Sequence, residues 1–326
     1  MLHCGVPPQC STNLSRQAKQ TLIQYALKRA GLAALVALTV SLVCFFLVHL
    51  STDVATAMAG EGATAEAIDT IRKQYGLDRP LAVQYLGWIA RAVVGDFGDS
   101  LYFHTPVAAL VSERLPVTLS LGAAAIAFAL VLSVPLGVIA ALRPNSWLDR
   151  ITLTIAVLGQ AMPTFWFALL LMFLFGVTLK LLPISGSDSW EHFVMPAVAL
   201  GYYATPAIMR LTRSGMLEVL GSDYIRTARA KGLRTASVLF KHALRNALAP
   251  VVALTAVQLG FMLGGSVVIE TIFALNGVGY LAWESISHND FPVVQAIVLL
   301  ISLFYIVLTL AADVANAWLD PRIRIG

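Results

Sequence analysis

Residues 117–142 read VTLSLGAAAIAFALVLSVPLGVIAAL, and no charged side chain interrupts them. About 20 apolar residues in a helix are enough to cross the hydrocarbon core of a bilayer. Inside that core every backbone N–H and C=O needs a partner from the protein, and a continuous helix provides one for each. The stretch therefore predicts a transmembrane helix and determines the class of the fold.

Five further apolar runs lie on both sides of this segment. The run that begins at Ile151 is interrupted by Pro163, and the run that begins at Phe193 is the weakest because it contains Pro196 and Pro206. Proline inside a span is tolerated where neighbouring helices satisfy the freed backbone groups. The sequence thus predicts an all-α integral membrane protein with six transmembrane helices. The five further runs are Gly31–Leu50, Ile151–Leu179, Phe193–Leu211, Leu248–Ile269 and Val293–Trp318.

The composition agrees with a membrane protein. Hydrophobic residues make up 58% of the chain, charged residues only 12%, and the mean hydropathy is +0.78. A soluble protein carries about a quarter charged residues. The net charge of +4 does not indicate nucleic-acid binding, because the basic residues flank apolar runs, where membrane topology accounts for them. Cys4, Cys10 and Cys44 have neither the number nor the spacing of a disulfide framework or a zinc site.

The distribution of Lys and Arg predicts the orientation. With the N-terminus in the cytoplasm, cytoplasmic segments carry 16 of the 22 basic residues, eight of them between Arg210 and Arg245. The positive-inside rule then places both termini in the cytoplasm, which agrees with an even number of spans. A cleaved signal peptide is the alternative, since Ala55-Thr56-Ala57 resembles a cleavage site. The apolar run before it is about 20 residues long, whereas signal peptides usually have roughly 7–15.

These patterns divide the chain into four parts. Residues 1–20 are polar and are expected to form a disordered cytoplasmic tail, and residues 21–50 form the first transmembrane helix. Residues 51–116 form an extracytoplasmic loop with short amphipathic helices, such as the one indicated by apolar residues at positions 68, 71 and 75. A second short helix, Val83–Val94, is expected to lie on the membrane surface. Residues 117–326 form a core with five transmembrane helices and a cytoplasmic loop at 219–247.

That cytoplasmic loop contains GSDYIRTARAKGLR at residues 221–234. Ser222 or Asp223 can cap the N-terminus of a helix, and Gly232 can adopt the left-handed conformation that ends one. The helix between them is too short to be stable alone in water, so it needs a surface to pack against. Its narrow apolar face, Tyr224, Ile225 and Ala228, is expected to provide the contact with a partner.

The loop resembles the EAA loop of bacterial ABC importer permeases, in which two small residues precede a glycine at fixed spacing. Arg226-Thr227-Ala228 stands at the Glu-Ala-Ala positions and Gly232 at the glycine. The wider string is similar to permeases of the dipeptide/oligopeptide/nickel class, although Ser51–Val54 and Asn276 depart from common family residues. Other strings that carry the resemblance are Tyr75–Pro80, Gly95–Ser100, Arg114–Leu119, Glu270–Phe273, Gly277–Gly279 and Leu319–Arg322.

The resemblance implies a type I ABC importer permease fold in a bacterial inner membrane. Implied partners are a second homologous permease subunit, two ATP-binding subunits, an extracytoplasmic substrate-binding protein and the lipid bilayer. The implied substrates are dipeptides or oligopeptides, with nickel or glutathione as alternatives. The short helix would be a coupling helix that sits in a groove of an ATPase subunit. The residues implied to couple are Asp223, Tyr224, Ile225, Arg226, Thr227, Ala228, Arg229, Lys231 and Gly232.

Other functions are poorly supported. The chain lacks a G-x-x-x-x-G-K-[ST] loop, so ATP hydrolysis is expected in partner subunits, and it lacks the G-x-S-x-G and H-E-x-x-H motifs of hydrolases. No cofactor and no metal site are expected. A proton-coupled secondary transporter would need midplane carboxylates and an inverted repeat, whereas Glu270 and Asp313 lie near the ends of spans. Gly260 and Gly264 form a G-x-x-x-G pattern that is typical of close helix packing.

Overall fold

The computed structural model describes residues 27–46, 53–60 and 62–319. Within these ranges the chain is helical and contains no β-strand, only an isolated bridge between Asp99 and Pro106. The all-α prediction is confirmed. The predicted tail at 1–20 lies outside the described residues, as do residues 47–50 of the first predicted span.

Thirteen α-helices are numbered here in chain order within the described residues. Residues Met172–Thr178 continue α7 as a π-helix, Trp190–Phe193 form a 3₁₀ turn before α8, and Ser237–Leu244 form a π-helix before α10. The helices are α1 (Leu27–Phe46), α2 (Val54–Ala59), α3 (Ala65–Gln74), α4 (Leu81–Val93), α5 (Val107–Leu142), α6 (Trp147–Ala161), α7 (Thr164–Leu171), α8 (Val194–Leu220), α9 (Asp223–Ala230), α10 (Arg245–Ala247), α11 (Ala249–Ile272), α12 (Val278–Ser287) and α13 (Phe291–Leu319).

Four helices in the described part of the chain are long and apolar enough to cross a membrane: Leu27–Phe46, Val107–Leu142, Ala249–Ile272 and Phe291–Val314. The predicted run from Ile151 is instead split at Met162, whose ψ of 128° is extended. The residue before a proline is disfavoured in the helical conformation, so the helix ends before Pro163. The six-span count stays a prediction.

Helices α5 and α8 form the centre of the molecule. Helix α5 starts at Val107, ten residues before the predicted run, and continues through Pro116. At Gly137 an added Cβ would lie 2.8 Å from the carbonyl oxygen of Met209 on α8. Only glycine allows this approach of the two backbones, which small residues make possible in membrane proteins.

Helix α11 packs on α13 through one of the two glycines of the G-x-x-x-G pattern. A Cβ at Gly260 would lie 2.5 Å from the Cδ2 of Tyr305, whereas a Cβ at Gly264 would meet no atom within 4 Å. The packing role predicted for the pair is therefore confirmed for Gly260, whereas Gly264 packs against no other helix of the described chain.

The predicted helices in residues 51–116 form as α3 and α4. Tyr85 and Trp88 on α4 are buried against Phe45 of α1, with the rings of Phe45 and Tyr85 5.4 Å apart. The hydroxyls of Tyr85 and Ser41 are 2.8 Å apart. Helix α4 is thus fixed to α1 by its aromatic side chains. The sequence predicted that this helix lies on the membrane surface, but these aromatic groups pack against protein.

Candidate functional site

The short helix predicted in the loop 219–247 forms as α9, with Ser222 at its N-cap. The hydroxyl of Ser222 donates to the carbonyl of Val219 at 2.6 Å and does not cap the helix. At the other end Gly232 has a φ of +73°. Its N–H donates to Arg229 at 3.0 Å and the N–H of Leu233 to Ala228 at 3.3 Å. This pair of bonds is a Schellman motif, and the predicted glycine stop is confirmed.

The apolar face of α9 does not point toward a partner. Ile225 is 0% exposed and Ala228 is 8% exposed, because both pack into a cluster formed by this chain itself. The predicted contact of Ile225 and Ala228 with another subunit is therefore wrong. The short helix gains its stability from its own chain. The buried members of this cluster are Val138, Ala141, Met216, Ile225, Ala228, Val238, Ala243 and Ala247.

A polar contact fastens α9 to the segment that follows it. The side-chain amide of Asn246 donates to the hydroxyl of Tyr224 at 2.9 Å and to the carbonyl of His242 at 3.2 Å. Tyr224 remains 44% exposed. Its ring therefore lies at the edge between the buried face and the solvent-facing side of α9.

The opposite side of α9 is open to solvent. The side chains of Asp223 and Arg226 are 93% and 76% exposed, and they form a weak ion pair at 3.4 Å. Exposed charge pairs of this kind contribute little to stability. We call the exposed residues of α9 its outer face: Asp223, Tyr224, Arg226, Thr227, Arg229 and Ala230. Lys231, Gly232 and Leu233 after it are also exposed, as is Phe240.

An ion pair missed by the sequence analysis supports the base of the loop. Arg213 of α8 donates to both carboxylate oxygens of Asp149, at 2.7 and 2.6 Å. Asp149 is 2% exposed and also accepts from the backbone N–H of Asn145 at 2.9 Å. The hydrogen bonds from Arg213 hold the pKa of Asp149 below its ordinary value. The Ser146-x-x-Asp149 spacing signals a helix start, but nothing in the sequence identifies Arg213 as the partner.

Glu270 has a structural role at the other end of α11. It is 0% exposed, and its carboxylate accepts from the hydroxyl of Thr118 at 2.9 Å and from the N–H of Tyr280 at 3.0 Å. The Thr118 hydroxyl accepts in turn from the N–H of Val278 at 2.8 Å. The carboxylate thus binds the N-terminus of α12, where helix N–H groups favour negative charge.

Asp313, the other carboxylate noted near the end of a span, pairs with Arg29 of α1 at 3.1 Å. The pair joins the first and last helices of the described chain. Among the described residues no cluster of three or more His, Cys, Asp or Glu side chains could hold a metal ion.

Comparison with known proteins identifies the family of the chain. The family model of the binding-protein-dependent transport system inner membrane component matches residues 133–325. A second model, of the N-terminal part of such membrane components, matches residues 22–122. The chain belongs to this family.

Individual relatives agree with the family. The glutathione transport system permease protein GsiC of Escherichia coli (strain K12) is 41% identical over 304 residues, covering 93% of this chain and 99% of that protein. The protein of the same name from Salmonella typhi has the same identity and coverage. A structure titled as an inward-facing conformation of the MetNI methionine ABC transporter has a TM-score of 0.55 at 20% identity, covering 65% of this chain and 96% of that one. A second crystal form has a TM-score of 0.53 at 22% identity.

The fold is therefore that of an ABC importer permease, and the chain is the permease subunit of such an importer. It is a multi-pass membrane protein and not itself an enzyme. Permeases of this family work with ATPase and substrate-binding partners.

Proposed function

We propose that this permease forms half of a pathway for short peptides, together with a second, homologous permease subunit. Two ATP-binding subunits would drive it, and an extracytoplasmic binding protein would deliver the substrate. The substrate class is supported by the resemblance to dipeptide and oligopeptide permeases and by the 41% identity to a permease named for glutathione, which is a tripeptide. Nickel is the remaining alternative within the class.

We propose further that α9 couples this subunit to an ATPase through its outer face. The observation that carries the proposal is the division of α9 into a buried apolar side and an exposed charged side. Ile225 and Ala228 fix the helix to α5 and α8 through the apolar cluster. A force applied to the outer face is therefore transmitted to the two central helices, and the helix does not simply rotate in place.

Charge reversal at Arg226 tests the coupling. Arg226→Glu changes a side chain that is 76% exposed, so the subunit should fold and insert normally. A reversed charge at an interface opposes association, because like charges placed together cost several kcal/mol. We expect the ATPase subunits to co-purify poorly with Arg226→Glu and peptide uptake to fall at matched membrane abundance.

Arg143→Glu is the matched control, because Arg143 is also exposed but lies in the connection between α5 and α6. It should retain both the ATPases and uptake. Normal association and uptake in Arg226→Glu would show that the outer face of α9 does not contact the ATPase. Competition between labelled glutathione, a dipeptide and Ni²⁺ in the same uptake assay separates the substrate alternatives.

A further inference from the structure

One side of α8 carries polar side chains that no other part of the described chain covers. Tyr203, Ala207, Arg210 and Ser214 follow one another at intervals of four, three and four residues, which places them on the same side of a helix. Tyr203 is 47% exposed, and Arg210 and Ser214 are also exposed. We call these four residues the open face of α8. The opposite side of the helix is buried in the core.

Contacts with α5 give the depth of the open face. The backbone of Gly201 lies against the carbonyl of Ala125. Further along, Gly137 lies against the carbonyl of Met209. Both α5 residues belong to the uncharged run 117–142 of a helix that is long and apolar enough to cross a membrane. Gly137 is about 7 Å before the end of that run along the helix axis. The open face therefore begins at the depth of the hydrocarbon core.

Arg210 is the charged member of the open face. Helix side chains lean toward the N-terminus of their helix, and from Arg210 that direction leads toward Gly201 and the middle of the bilayer. The guanidinium donates to Oε1 of Gln160 at 3.1 Å, and no ion pair between described residues includes it. Ionisable groups at membrane depth almost always face the protein interior or a water-filled cavity. Because Arg210 is exposed on the surface of the chain, that surface faces water and not lipid.

The backbone next to Arg210 supports the same assignment. Gln160 lies in the last turn of α6, and the helix breaks just after it, at Met162. Ala161 and Pro163, on either side of the break, are exposed. Non-helical backbone at membrane depth is tolerated only where it is buried in protein or lines a water-filled cavity. An exposed break beside an exposed guanidinium therefore indicates water on this side of the chain.

We propose that the open face of α8 forms part of the wall of a water-filled pathway, and that Arg210 makes this pathway unfavourable for cations. A fixed positive charge in a narrow aqueous passage attracts anions and repels cations. This assignment rests on the proposed function, since a pathway through this subunit is part of it. The charge preference opposes the passage of Ni²⁺, the alternative that the proposed function leaves open.

Cysteine labelling tests the location of the wall without any transported substrate. The full chain, with its three cysteines replaced by alanine, is co-expressed with its partner subunits. Labelling is measured by mass on this chain in unsealed membrane fragments, with and without Mg-ATP. Ala207→Cys and Ser214→Cys should react with membrane-impermeant methanethiosulfonates. Val307→Cys is the matched control, because Val307 is 53% exposed but lies on the apolar span α13. It should not react.

Two results would overturn the location. The first is labelling of Ala207→Cys and Ser214→Cys no faster than that of Val307→Cys, both with and without Mg-ATP. The second is labelling of the isolated chain that disappears when the partner subunits are present, because the open face would then be covered by another subunit.

Reagents of opposite charge test the role of Arg210. Ala207→Cys lies one turn from Arg210, on the side toward which the arginine leans, so it should react faster with the anionic reagent relative to the cationic one. Arg210→Gln should lower the ratio of the two rates about fivefold, as expected for one nearby unit charge in salt solution. Arg143→Gln removes an exposed cation elsewhere and should leave the ratio unchanged. An unchanged ratio in Arg210→Gln would overturn the charge preference. Absence of peptide uptake with the expected labelling would instead contradict the proposed substrate.

Discussion

At the scale of single residues, Gly232 tests how far backbone conformation alone determines α9. Its φ is +73°, and a Cβ at this position would meet no atom within 4 Å. Any cost of substitution is therefore conformational, about 1–2 kcal/mol for a residue with a side chain in the left-handed region. We expect Gly232→Val to loosen the end of α9, which hydrogen exchange of the amides of residues 232 and 233 measures directly.

Gly232→Asn is the matched control, because asparagine adopts the left-handed conformation more readily than valine. It should retain most of the protection of these amides and most of the uptake activity. Equal protection in the valine and asparagine variants would show that the glycine is not needed to end the helix.

The ion pair of Asp149 and Arg213 makes a second prediction at this scale. Removal of one partner from a buried pair costs roughly 3 kcal/mol, because the other charge is left without compensation. We expect Asp149→Asn to lower the thermal midpoint at neutral pH. Asp188→Asn, which changes an exposed carboxylate, should not.

The pH dependence of this effect has a definite sign. Because the pKa of Asp149 is lowered in the folded protein, the pair stabilises the protein fully above the ordinary carboxylate pKa, about 3.9. That stabilisation is lost as the pH falls through the lower folded value. The difference in thermal midpoint between the unmodified protein and Asp149→Asn should therefore be constant from pH 7 to about pH 5. It should shrink below about pH 4. A difference that grows on acidification would contradict the assignment.

At the scale of elements, the ends of α9 could be predicted from the sequence but its orientation could not. Gly232 ends the helix through its own backbone conformation, and the helix begins after Ser222 although the Ser222 hydroxyl bonds to Val219. Signals of this local kind are visible in one sequence. The apolar face was assigned to a partner because a short helix needs a covering surface. The sequence does not show whether that surface comes from another subunit or from Val238 and Ala247 of the same chain.

Helix α12 shows the same limit. Gly277 and Gly279 were noted only as part of a family string. In the structure a Cβ at Gly279 would lie 2.9 Å from Oε2 of Glu270. The glycines are thus required by a carboxylate that approaches the helix N-terminus. A contact between residues on separate helices leaves no periodic pattern that could have predicted it.

This contact predicts that Thr118 and Glu270 stabilise α12 together. Thr118→Val conserves the shape of the side chain but removes both the donor to Glu270 and the acceptor for the N–H of Val278. Leaving such buried groups unpaired costs about 1–3 kcal/mol. We expect a lower thermal midpoint for Thr118→Val.

Thr255→Val is the matched control, since the hydroxyl of Thr255 bonds only within its own helix, to Val251 at 2.7 Å. It should change the midpoint little. The double variant with Glu270→Gln and Thr118→Val should lower the thermal midpoint by less than the sum of the two single effects. The reason is that the two side chains act through one network. Additive effects would show that the two residues act separately.

At the scale of the whole molecule, composition and apolar runs were enough to predict a helical membrane protein. They were not enough to predict how the helices meet. The close approach of α5 and α8 depends on Gly137 facing Met209, and the contact of α11 with α13 depends on Gly260 facing Tyr305. Each requires knowledge of which helices are neighbours, and hydropathy does not contain that information.

The topology is the remaining prediction at this scale, and it rests on the 16 of 22 basic residues assigned to the cytoplasm. The structure gives the order of the helices but not their direction across a bilayer, so the charge bias is the argument for both termini lying inside.

A reporter that is active only in the periplasm should be silent when fused after Gly326. It should be active when fused after Asp69, on the exposed helix α3, or after Asn289, in the turn between α12 and α13. Strong activity after Gly326 would refute the orientation, and activity at only one of the two internal sites would refute the span count between them.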